Sequence, residues 1–77
     1  METMAVDVEL FGQLLPGAPR QQILILEHEM TVQEVASLLG LNMEEIGLIA
    51  INGVQSEEHD LVPRDCRLCF FPPMSGG

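Results

Sequence analysis

Phe70-Phe71-Pro72-Pro73-Met74-Ser75-Gly76-Gly77 closes the sequence. Two aromatics end an apolar run, two prolines stop it, and a diglycine follows. Proline has no N–H for a sheet ladder and holds φ at about −65°, so Pro72-Pro73 is expected to lift the chain off its sheet as a stiff, polyproline-like spacer. An extended tail from Pro72 to Gly77 reaches roughly 20 Å at about 3.3 Å per residue. Gly76 and Gly77, lacking a Cβ, can thread a channel that bars larger residues. The reading divides the chain into a domain over residues 1–71 and a flexible tail over 72–77 that packs against nothing. The reacting group is then the main-chain carboxylate of Gly77. That group is ionised at neutral pH and a poor electrophile, so any chemistry on it requires activation, for which an acyl-adenylate made by an ATP-dependent partner is the expected form.

Working back from the tail, Cys66 to Phe71 reads as the last strand, with Cys66, Leu68 and Phe70 on one face and Arg67, Cys69 and Phe71 on the other. Pro63-Arg64-Asp65 is a turn, Leu61-Val62 an apolar anchor and Ser56 to Asp60 a polar loop. Asn52-Gly53 is the strongest hairpin signal in the chain, joining a buried strand at 47–51 to a short return at Val54-Gln55. Thr31-Val32-Gln33-Glu34 has the form of a capping box, and Val32, Val35, Ala36, Leu38 and Leu39 follow at helical spacing before Gly40, a C-cap residue. Asn42 caps a further turn over 43–46. Ile23-Leu24-Ile25-Leu26 lies in a strand at 20–28 that is apolar on both faces, one of them either covered by a helix or left as a docking patch. Val6, Val8 and Leu10 alternate with Asp7 and Glu9 in a first strand at 4–11. Strand, strand, helix, strand, short strand, strand is an α+β order compatible with several folds.

With 77 residues and 47% hydrophobic content the chain makes one small domain, near the lower size limit for a core without staples. Twelve acidic residues against three arginines and no lysine give a net charge of −9. That balance argues against nucleic acid and anionic membranes and favours a basic protein partner. Without lysine the chain has no ε-amine on which to build chains of itself. No run of 18 apolar residues and no basic leader is present, so a cytoplasmic protein is expected.

The closing octapeptide resembles the C-terminus of the MoaD/ThiS family, the ubiquitin-like sulfur carriers, and its Pro-Pro-x-Ser-Gly-Gly form is closer to the molybdopterin-synthase small subunit. The short helix is closer to the thiamine-type carriers. The resemblance implies a β-grasp fold, a mixed four- to five-stranded sheet packed on one short helix. It also implies that Gly77 is adenylated by an E1-like adenylyltransferase, which uses ATP, and converted to a thiocarboxylate. Sulfur would pass to an acceptor, the molybdopterin synthase large subunit or a thiazole synthase. The chain would then be a co-substrate rather than an enzyme, a monomer when free, with no cofactor of its own, or the small subunit of such a synthase. Pro72, Pro73, Met74, Ser75 and Gly76 would be the partner-binding tail, with Phe71 and Cys69 on a partner face. Asn52-Gly53 matches the family's hairpin, but Asp65-Cys66 stands where relatives carry Gly-Asp. A ubiquitin-like modifier, joined through Gly77 to lysines of other proteins, is the alternative reading.

Cys66 and Cys69 form a lone C-x-x-C. In a strand, residues three apart face opposite ways with Cα atoms about 10 Å apart, too far for a disulfide, and two thiols fall short of a four-ligand zinc site. Buried or half-buried thiols are expected. His28 and His59 stand alone, and no catalytic triad or phosphate loop is present.

Overall fold

The computed structural model describes residues 3–73 as a five-stranded sheet in the order β2-β1-β5-β3-β4 with one helix. β1 (Met4–Leu10) pairs antiparallel with β2 (Gln21–Leu26). β5 (Arg67–Phe71) lies beside β1 in parallel, Val8 opposite Leu68, and antiparallel to β3 (Leu48–Ile51), Ile49 opposite Phe70. β4 (Val54–Ser56) closes the other edge against β3. This mixed sheet with its single short helix is the β-grasp arrangement.

Alternation decides which face is dry. Val6, Val8, Leu68 and Phe70 are fully buried, as are Val32, Val35 and Ala36 of the helix, and all belong to one apolar cluster. The helix α1 (Val32–Leu39) begins as its sequence dictates: the Thr31 hydroxyl accepts from the Glu34 N–H at 3.2 Å, and the Glu34 carboxylate accepts from the Thr31 N–H at 2.8 Å. It ends at Gly40, whose φ of +88° suits a residue without a Cβ. Leu38, expected on the core face, is exposed instead. At about 100° per residue it sits well off the stripe through positions 32, 35, 36 and 39. A single 3-10 turn, Met43–Glu45, follows with the Asn42 side chain accepting from the Glu44 N–H.

The turn at Asn52-Gly53 has both residues at positive φ (+53° and +82°), the geometry a two-residue hairpin needs. Asn52 does a second job: its side-chain oxygen accepts from the Arg67 N–H at 2.9 Å, tying the hairpin to the start of β5. Asp65, in the place where a glycine was expected from the resemblance, also has a positive φ, +58°. Its N–H donates to the Ala5 carbonyl at 2.9 Å, which holds the turn against β1.

Candidate functional site

Opposite the helix, the sheet presents an open face. Ile23 and Ile25 of β2, Asp7 and Glu9 of β1, Arg67, Cys69 and Phe71 of β5, and Leu48 and Ala50 of β3 share it by register. Ile23 and Ile25 are about 60% exposed, so the second apolar face of β2 is uncovered. Cys69 and Phe71 lie on this open face and are half-buried.

At the end of β5 the ladder runs on past the strand. The Phe11 N–H donates to the Phe70 carbonyl at 3.0 Å, and the Gly47 N–H donates to the Phe71 carbonyl at 2.8 Å. The Phe11 ring stacks on Phe71 with centroids 4.4 Å apart and planes 10° from parallel, and the Arg20 guanidinium lies 4.9 Å from the Phe11 centroid. Stacked aromatics and an overlying cation contribute beyond their buried area. Pro72 and Pro73 are then seated against Gly12 and Gly47, which corrects the expectation that the stalk leaves the sheet untouched. The missing side chains of those glycines let a proline ring and its backbone approach the body. An open hollow of about 570 Å³ lies at this point, lined by Gly47, Leu48, Phe71, Pro72 and Pro73. Met74, Ser75, Gly76 and Gly77 lie outside the described residues.

Electrostatics differ sharply between this face and the rest of the chain. Glu9 is 8% exposed and accepts from Arg67, with Arg20 at 3.4 Å on its other oxygen. Hydrogen bonding and charge from Glu9 push the Arg67 guanidinium up from its ordinary value. A carboxylate this deep is tolerable because both neighbours carry the opposite charge. Asp7, Glu9, Arg20 and Arg67 cancel as two and two, and the other ten acids with Arg64 make up the whole −9. A partner on the open face therefore meets a neutral surface of rings and guanidinium groups rather than the acidic one anticipated from composition.

Burial pushes both thiols up: Cys66 beneath the sheet and Cys69 on the open face, the latter opposed in part by Arg67. A thiol held protonated is a weak nucleophile. Both cysteines are free. His28 Nδ1 lies 3.0 Å from the Glu29 carbonyl oxygen, a local contact. Among the described residues no group of three or more His, Cys, Asp and Glu is placed to hold a metal, and no helix is long and apolar enough to cross a membrane.

The alternation of β5 put Cys69 and Phe71 on one face, as observed, whereas Phe11, Arg20, Gly47 and Leu48, which gather around Phe71 and Pro72, were not singled out from the sequence. Phe11 had a signal, since it continues the outward parity of Asp7 and Glu9. Gly47 had none, because its neighbour Pro73 is 26 positions away (73 − 47).

No curated protein matches the chain. Among solved structures, the solution structure of the Haloferax volcanii HVO 2177 protein superposes with a TM-score of 0.73 at 16% identity, covering 97% of this chain and 88% of that one. That likeness speaks for the fold alone. The ThiS family model matches residues 8–77, from the first strand through the tail, and the chain belongs to that family of ubiquitin-like sulfur carriers.

Proposed function

We propose that Gly77 is the sulfur-bearing residue. In this reading an E1-like adenylyltransferase attacks the α-phosphate of ATP with the Gly77 carboxylate, releasing pyrophosphate and leaving an acyl-adenylate. A sulfur nucleophile then displaces AMP, and the resulting thiocarboxylate donates its sulfur to a molybdopterin or tungstopterin precursor, or to a thiazole precursor. The body docks through the open sheet face around Phe71, Cys69 and Leu48, while Pro72 to Gly76 carry the terminus into the partner's active site. The chain acts as a co-substrate in the cytoplasm and brings no cofactor.

The observation that carries this reading is the reach of the family match, which runs to residue 77 and so includes Pro72-Pro73 and Gly76-Gly77. The neutral, apolar surface at the root of the tail supports it, because docking there removes rings from water without stripping unpaired charges.

Intact-protein mass spectrometry after incubation with the activating enzyme, ATP and a sulfur donor is the test. Exchange of one oxygen for sulfur at Gly77 is the expected result. Gly77 branches on lysines of other proteins would instead make the chain a modifier, and no change at all would remove both readings. Deleting Gly77, or Gly76→Val, should abolish activation with melting unchanged. Leu68→Ala, at a fully buried position, should cost about 2–5 kcal/mol and fail by unfolding.

A further inference from the structure

Gly12 and Gly47 flank the root of the tail, Gly12 just past β1 and Gly47 just before β3. A Cβ on Gly12 would stand 2.7 Å from Pro72 Cγ. One on Gly47 would stand 2.4 Å from Pro73 Cα, 2.8 Å from the Pro73 nitrogen and 2.9 Å from the Pro72 carbonyl oxygen. These are a ring carbon and main-chain atoms, not the yielding end of a long side chain. Any side chain at position 47 must therefore push the stalk itself aside.

The two glycines are not equivalent. Gly12 has a φ of +68°, which by itself favours glycine, whereas Gly47 lies outside the left-handed region. The backbone conformation at 47 is open to other residues, so what demands glycine there is the approach of Pro73. The Gly47 N–H also holds the Phe71 carbonyl at 2.8 Å, fixing the peptide directly before Pro72. On the far side the Phe11–Phe71 stack fixes the ring of the same residue.

We infer that Gly47, with Gly12, is a positioning residue for the tail: together they form a slot that sets the direction in which Pro72-Pro73 leaves the sheet. This rests on the tail-activation reading above. A reacting carboxylate must arrive within about 1 Å of its place, and an error of that size costs on the order of 10²-fold in rate. A stiff proline stalk seated in a slot reduces the number of directions searched once the body has docked.

Gly47→Ala in the full chain tests the slot, read by proton nuclear Overhauser contacts and by ATP–pyrophosphate exchange with the E1-like adenylyltransferase. In the wild-type chain, contacts between the Gly47 and Pro73 α-protons are expected, and their absence overturns the slot whether or not the variant folds. In the variant those contacts are lost while contacts between Leu48 and Phe71 persist. The kcat/KM for exchange then falls about 10–100-fold, carried by kcat rather than KM because the open face is intact. An unchanged kcat/KM beside an active wild type overturns the positioning role. A wild type inert in exchange removes the activation reading instead, and the Overhauser contacts alone then decide the slot.

Discussion

Asp65 shows how a single residue can hold a turn in the left-handed region without being glycine. Its φ of +58° is a conformation open to glycine and tolerated by aspartate, whose short polar side chain suits the left-handed region. The turn needs that geometry so that the Asp65 N–H can reach Ala5. Asp65→Gly should change stability by less than about 1 kcal/mol, since relief of the positive φ offsets the freedom gained by the unfolded chain. Asp65→Val, branched at Cβ, should cost about 1–3 kcal/mol. Urea unfolding of the two variants checks the contrast. Equal costs would mean that the turn relaxes to another shape.

Among the elements, α1 is the one whose sequence and structure agree most closely at both ends. Thr31→Ala removes the hydroxyl that accepts from Glu34 and should cost about 1 kcal/mol, or roughly 4–8 °C of melting temperature in a domain of this size. Glu34→Gln keeps an acceptor for the Thr31 N–H and should be nearly silent; thermal melts of both distinguish a cap from a charge effect. The helix, the Asn52-Gly53 turn and the alternation of β5 are legible in the sequence because each is decided by residues a few positions apart. The central place of β5, the burial of Glu9 between two arginines and the seating of Pro73 on Gly47 are not legible. Those depend on pairings such as Asp7 with Arg67, 60 positions apart (67 − 7), for which no local pattern exists. The same limit explains Leu38, where five apolar residues at helical spacing hide that a short helix buries only Val32, Val35 and Ala36, with Leu39 partly covered.

At the scale of the molecule, net charge is unevenly distributed. The open face is balanced, the thiols are kept protonated, and the acidity belongs to the rest of the chain. For stability the sign follows from the thiols: folded Cys66 and Cys69 hold their protons above the ordinary thiol value. The unfolded chain releases them sooner, so the folded state binds more protons in that window and stability falls as pH rises. The stabilisation is intact below the ordinary value of about 8.5 and declines as the pH climbs past it. Urea midpoints at neutral and at mildly alkaline pH should show the loss, and Cys66→Ala should flatten the slope. A midpoint that does not move would mean that the thiols ionise freely in the fold.

β5 is the strand through which the β1–β2 hairpin and the β3–β4 hairpin meet, and it runs straight into Pro72. A load applied to the chain at Pro72 in the direction of the strand would act on β5 lengthwise. The ladder bonds to β1 and β3 lie across that direction and take the load together, in shear, rather than opening one after another. The molecule can thus be tugged by its end without being unzipped, a mechanical toughness that comes from putting the handle on the middle strand instead of an edge.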